Sequence, residues 1–409
     1  MRLVVVCPHF EPDIAPTGAV MTRIVHELAH RGHELHVVTS LPWYRGHRVE
    51  PGWGGRPWRV ERTPWGSVTR IHPMSARSKA NVAGRALGFV AFSVLAAAWC
   101  ALRRVGGRVD AVVAMSPPLT LGLAGRVGAL ARRCPLVFNV QDVFPDAAIA
   151  TGAVRSRALV AAARVLERLT YRASDAVVVL SDDLARNVGA KVAASRRDRV
   201  RVIPNFVDTA AIAPGPRRTA YRAALGIGDE PVVMYAGNVG FSQSLGMLVE
   251  AARALPGVAV VIHGEGAARD ELRAAARDVP NVRFGDYQPA ERLPEVLATA
   301  DVHVVTLRRG LGHVSVPSKT YSVLAAGRPV LAAVDADTEV PRILAASGAG
   351  RCVEPDDAAA FVAALREMLA DADALARMGR DARTWVEGHA SPAAVAEHYE
   401  RLIASLASR

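Results

Sequence analysis

Four cysteines in 409 residues, at positions 7, 100, 134 and 352, stand far apart. That spacing offers neither a disulfide framework nor a zinc site, and it suits a reducing compartment. Aromatic residues make up only 5%. No basic stretch with interleaved aromatics and no nucleic-acid motif appears, which weakens a nucleic-acid reading. The first strand-to-helix loop lacks a G-x-G-x-x-G fingerprint, so a dinucleotide site of that type is not expected. Long apolar runs are also scarce. MRLVVVCPHF has five apolar residues ended by Pro8, and reads as a first buried strand and not as a leader. ALGFVAFSVLAAAWCAL, residues 86–102, has 17 residues without a charge. It falls short of the roughly 20 strongly apolar residues of a membrane span. Two readings stand: a buried helix of the first domain, or an interfacial helix beside Arg77, Lys79, Arg85, Arg103, Arg104 and Arg108.

What is present is a globular composition, 51% hydrophobic and 22% charged, long enough for two domains. The net charge of +11 is unevenly placed. Residues 1–210 hold 29 basic against 15 acidic residues, and residues 211–409 hold 21 against 24. Almost all the basic residues are arginine. A basic half points to anionic surfaces or phosphorylated ligands.

Apolar strands alternate with helical stretches throughout, the rhythm of doubly wound parallel sheets. Strands are expected at 2–6, 34–39, 110–114, 136–140, 176–180 and 200–203. Residues 43–66, with four Trp, five Gly and three Pro, read as a long loop or hairpin. VIPNFVDTAAIAPGPRR, 202–218, reads as a linker. New strands are expected at 231–236, 258–263, 281–284, 302–305, 329–332 and 350–353. The fold class is therefore α/β with two Rossmann-like domains facing across a cleft. Their expected bounds are 1–205 and 206–389, with a C-terminal helix near 390–409 packing back on the first.

In such sheets ligands bind beyond the carboxyl ends of the strands. The first such loop, CPHFEPDIAPTGAV, has Thr17 as a possible cap and Gly18 for close backbone approach. FNVQDVFPD places Gln141 and Asp142 at a strand end. In the second half GNVGFSQS, HGEG, FGDYQP and HVSVPSKTYS follow successive strands. The Pro-Ser-Lys start at 317–319 suits a phosphate: Pro in a first turn, Ser as a cap, open backbone amides and a lysine charge. It also suits an ordinary, well-capped strand-to-helix turn.

The order of motifs resembles a family. RGHELHVVT, IPNFVD, MYAGN, HGEG, VRFGDY, ADVHVV and LAAGRPVLA together are similar, nearly end to end, to GT-B glycosyltransferases of family 4. QDVFPD, GNVGFSQS and VPSKTYS resemble its O-antigen, colanic-acid and capsule branch, with fucosaminyltransferase-like members. The resemblance implies retaining transfer of a hexosyl or N-acetylhexosaminyl group from a nucleotide-diphosphate sugar, UDP-linked by first preference, to a polyprenyl-diphosphate-linked acceptor. It implies no metal, no nucleic-acid partner, and a cytoplasmic enzyme peripheral on the inner face of the plasma membrane. The donor diphosphate would meet Pro317, Ser318 and Lys319 with Gly18. Tyr287 and Gly264 would flank the base. Gln141 and Asp142 occupy the catalytic place where many members carry His-Asp. The family's diphosphate-binding Arg and Lys are replaced by Asn238 and Gln243. Its two Glu residues fall on Val314, in the donor-sugar stretch Gly312, His313 and Val314, and on Ser322, at the ribose. Two rival readings remain open, a GT-B sugar-nucleotide 2-epimerase and a catalytically inactive partner protein.

Overall fold

The computed structural model describes the chain apart from residues 14, 45–47, 75–81, 103–106, 147, 148, 150–155, 312–316, 408 and 409. It forms two compact units, residues 1–204 with 395–409, and residues 205–394.

The first unit is built on eight strands. They are β1 (Arg2–Val6), β2 (Glu34–Ser40), β3 (Trp58–Thr63), β4 (Gly66–Ile71), β5 (Ala111–Ser116), β6 (Leu136–Val140), β7 (Ala176–Val179) and β8 (Val200–Val202). Their order is β3-β4-β2-β1-β5-β6-β7-β8. Every pair is parallel except β3 with β4. The central strands are unbroken apolar runs because helices cover both faces. Of the two readings of residues 43–66, loop or hairpin, the hairpin holds from Trp58 onward. β3 and β4 make a hairpin whose second strand runs on to Ile71 and pairs in parallel with β2. Gly66 turns the hairpin with φ of +141°, and a Cβ there would lie 2.0 Å from the Leu35 carbonyl oxygen.

Helix α1 (Pro16–His30) takes Pro16 in its first turn. Its N-cap is Ala15, so Thr17 lies inside the helix and caps nothing. One apolar core joins α2 (Val82–Leu102), α3 (Thr120–Arg132), α4 (Arg157–Ala173) and α5 (Asp182–Lys191) through Phe92, Leu121, Tyr171 and Val188. Each such buried side chain is worth about 1.5–3 kcal/mol of transfer free energy. Asn139 points the other way, and its amide donates to the Tyr399 hydroxyl at 2.6 Å. Tyr399 lies on α14 (Pro392–Ala407), which therefore packs on the sheet face opposite that core. Its Glu400 accepts from Arg31 and pairs with His33, at the end of α1.

The second unit has six parallel strands, β9 (Val232–Ala236), β10 (Ala259–His263), β11 (Val282–Gly285), β12 (Val302–Thr306), β13 (Val330–Ala333) and β14 (Gly350–Val353). Their order is β11-β10-β9-β12-β13-β14. That is the doubly wound 3-2-1-4-5-6 order, whose direction of winding reverses between β9 and β12. Helices α6 (Ala220–Ala224), α7 (Gly246–Ala254), α8 (Arg269–Ala275), α9 (Leu293–Ala298), α10 (Lys319–Ala325), α11 (Glu339–Ser347), α12 (Ala358–Leu369) and α13 (Ala372–His389) complete it.

Candidate functional site

The reversal between β9 and β12 splays the loops beyond those two strands apart. A cavity of about 530 Å³ opens there. Ala236, Gly237 and Asn238 enter it from β9, His263 from β10, and Thr306 and Leu307 from β12. Pro317, Ser318, Lys319 and Ser322 form another wall, and Tyr287 and Gln288 a further one.

Only three lysines occur in the chain, and one of them, Lys319, lines this cavity. Its ammonium donates to the Tyr235 hydroxyl and lies 3.8 Å from the centre of that ring. The Tyr235 hydroxyl donates in turn to the Asn238 carbonyl at 2.6 Å. Gly237 lets the lysine come close, since a Cβ there would lie 3.2 Å from Nζ. Burial lowers the Lys319 pKa to about 7. No carboxylate lines the cavity among the described residues. A desolvated amine of this kind gains charge stabilisation from any anion that enters beside it.

The backbone around it is tied down. The Thr306 hydroxyl donates to the Gln243 carbonyl, and the Arg308 amide donates to Ser242 at 2.9 Å. Gln243 uses its Oε1 to accept from the Gly240 amide at 3.1 Å. Ser318 is the N-cap residue of α10, but its side chain makes no cap bond, which corrects the capping role expected for it. The first turn closes instead through the Pro317 carbonyl, which accepts from the Thr320 amide at 3.0 Å.

On the opposite wall His263 shares a 2.7 Å hydrogen bond with the Tyr221 hydroxyl through Nδ1, and Tyr287 meets its ring edge-on at 6.1 Å. Burial, and then the Arg269 charge, lower the His263 pKa, so the ring is neutral near pH 7. Arg269 bridges Glu265 and Asp286 and so ties the loops after β10 and β11 together.

The cavity thus gathers Asn238, Gln243, Tyr287, Pro317, Ser318, Lys319 and Ser322. Gly264 is not on its wall. With φ of +125° it presses on Gly237, where a Cβ would lie 2.0 Å from the carbonyl oxygen. Gly312, His313 and Val314 lie outside the described residues. His263, Tyr235 and Thr306 were missed, because each reads in sequence as one more residue of a buried strand.

In the first unit Gly18 packs on His9, where a Cβ would meet the His9 Cβ at 2.8 Å. His9 Nδ1 pairs with the Asp13 carboxylate at 2.7 Å, and its ring lies 5.4 Å from both Trp43 and Tyr44. Gln141 is buried and donates to Asn139 at 2.7 Å. Asp142 stands at the end of β6, and desolvation raises its pKa. Asp146 is held below its ordinary pKa by Lys191 and Asn187, against the opposing effect of desolvation. Two Asp-x-Asp triplets do structural work. Asp335 accepts from the Gly310 amide at 2.8 Å, and Asp371 caps α13. Neither belongs to a group of three His, Cys, Asp or Glu residues able to hold a metal among the described residues.

Two Rossmann-like sheets, one with a lysine-lined cavity at its winding reversal, define a GT-B fold. Residues 17–205 match the model of a glycosyl transferase 4-like domain, and residues 230–371 that of glycosyl transferases group 1. The Escherichia coli protein WcaI, named as a colanic acid biosynthesis glycosyl transferase, is 26% identical over 90% of this chain and 92% of its own. The lipopolysaccharide core biosynthesis glycosyltransferase LpsE of Rhizobium meliloti is 30% identical over 58% of this chain and 67% of its own. Among solved structures, Anabaena HepE in complex with UDP superposes with a TM-score of 0.69 at 14% identity, covering 99% of this chain and 100% of its own. The chain belongs to the GT-B glycosyltransferases of family 4.

Proposed function

We propose that the protein is a retaining glycosyltransferase of envelope polysaccharide synthesis, of the O-antigen, colanic-acid and capsule branch. It moves a hexosyl or N-acetylhexosaminyl group from a nucleotide-diphosphate sugar, UDP-linked by first preference, to a polyprenyl-diphosphate-linked acceptor at the inner face of the plasma membrane. The observation that carries this reading is the desolvated Lys319 in the β9/β12 cavity. The likeness to HepE, solved with UDP and with UDP-glucose, supports the nucleotide.

The donor diphosphate lies against Lys319 and the amides of Ser318 and Lys319. The base stacks near Tyr287 and His263, and Ser322 meets the ribose. In the reaction the bond from the anomeric carbon to the diphosphate oxygen breaks with its electron pair, and the acceptor oxygen bonds to that carbon on the same face. The acceptor proton passes to the leaving diphosphate. The protein supplies position and a charge that meets the developing dianion. Lys319 does what the Arg and Lys at the Asn238 and Gln243 positions do elsewhere in the family. Gln141 and Asp142 orient the reacting sugar.

The test is a thermal-shift series of UDP-, GDP- and TDP-sugars without added metal, followed by product analysis with the responding donor. A ligand that binds only the folded state raises its melting temperature. One nucleotide raising it, with transfer to a polyprenyl-diphosphate sugar, supports the reading. No response to any of them overturns it.

A further inference from the structure

The exposed apolar side chains are distributed very unevenly. Sixteen of the eighteen large ones among the described residues lie in the first unit, and the other two, Phe241 and Tyr287, sit by the donor cavity. In α2, Phe92, Ala96 and Cys100 are buried in the core. The outward stripe, at Leu87, Val90, Val94, Leu95 and Leu102, is apolar over four turns, and Leu102 is 81% exposed. No charged residue occurs from Leu87 to Leu102. Trp99 of this helix meets Trp58 of β3 at 6.1 Å between ring centres, and the two help line an apolar pocket with Met74 and Leu95. Val127 and Leu130 extend the patch on α3.

Helix α4 ends the patch with charge. Arg157, Arg164, Arg168 and Arg172 fall within one 80° sector at 100° per residue and are exposed. None of them is in an ion pair among the described residues. Leu159, Val165 and Leu169 are exposed on the neighbouring sector. Arg168 and Arg172 line a groove with Lys191 and Arg196, so the arginine edge faces α5; Thr170, 20° from Leu159 at 100° per residue, packs on Gly122 of α3. The single acidic residue of α2, α3 and α4 is Glu167, which is buried and bonded to Lys191.

We infer that this α2–α3–α4 face docks flat on an anionic lipid bilayer. The α2 stripe and Trp58 enter the headgroup boundary, and the α4 arginines meet the lipid phosphates beside it. An exposed apolar stripe bordered by unpaired arginines has this complementarity, and a soluble partner would have to match both features at once. The inference rests on the membrane-bound acceptor of the proposed function, and names the surface that brings the enzyme to it.

The test is co-sedimentation of the full chain with vesicles of phosphatidylcholine alone or mixed with phosphatidylglycerol. The expected result is binding that grows with phosphatidylglycerol and weakens with salt. Arg164→Ala, Arg168→Ala and Arg172→Ala combined should lower binding to the mixed vesicles by about fivefold per charge, on the order of a hundredfold in all. Val94→Gln with Leu95→Gln should lower binding to the same vesicles with less change in salt dependence. Both variants should keep the parent melting temperature and nucleotide response. Absence of binding by the parent, or equal binding by parent and variants, overturns the inference. So does a concentration-dependent dimer dispersed by Val94→Gln with Leu95→Gln, because the face then covers a second copy. Vesicle binding without any nucleotide response sinks the donor reading and leaves this surface standing.

Discussion

The two units use positive charge in opposite ways. The second unit puts one half-buried lysine in a cavity with no carboxylate among its described lining residues. The first unit places four arginines on the outside of α4, in water and beside apolar side chains. A buried cation is strong and selective, because little solvent screens it and its pKa responds to whatever binds. A row of exposed cations is additive and salt-sensitive, and reads surface charge without selecting a molecule. The proposed transfer from a soluble donor to a lipid-linked acceptor would use one of each.

The sharpest way to break the comparison is to spoil the cavity without touching its charge. Gly264→Ala combines a φ of +125° with a Cβ 2.0 Å from the Gly237 carbonyl. It should cost about 2–4 kcal/mol of stability and abolish the nucleotide response, read by denaturant melts and thermal shift. Next comes Lys319→Ala. It should weaken donor nucleotide binding by about 1–3 kcal/mol, as expected for a lost charge-assisted hydrogen bond, with little loss of stability. Asp142→Asn should separate transfer from donor binding, with turnover falling by about 10²-fold in a product assay and the nucleotide Kd unchanged.

A smaller effect comes from pH. Lys319 is lowered to about 7 from an ordinary 10.5. Between those values the unfolded chain binds a proton that the folded chain does not, so stability of the ligand-free protein should rise with pH across that window. Lys319→Met should flatten that rise in melts taken at several pH values. A bound diphosphate favours the charged amine, so donor affinity should fall as pH climbs past 7, by at most about tenfold per unit.

Much of the fold was legible in the residues. Strands such as Leu136–Val140 and Gly350–Val353 are short apolar runs between turn signals, and the central parallel strands need little else. β4 escaped because GSVTRI follows a stretch full of Trp, Gly and Pro, and its strand character comes from pairing with β2. At the site, the lysine and the glycine loops were legible as local patterns. The contacts that give Lys319 its character were not. Tyr235 is 84 residues away in sequence and looks like part of a buried strand. The His263–Tyr221 bond spans 42 residues and is made only when β10 and α6 come together. The exposure of α2 is likewise a tertiary fact: its composition suits the core, and only packing on α3 shows which half is left outside.

The most direct test of the central claim, that Lys319 is the receptor for the donor diphosphate, is calorimetric titration of the responding nucleotide at about pH 8 in two buffers of different ionisation heat. The account predicts proton uptake on binding, up to about one per site, which disappears together with most of the affinity in Lys319→Ala. Binding of equal strength in that variant, with no proton taken up by the parent protein, would contradict it.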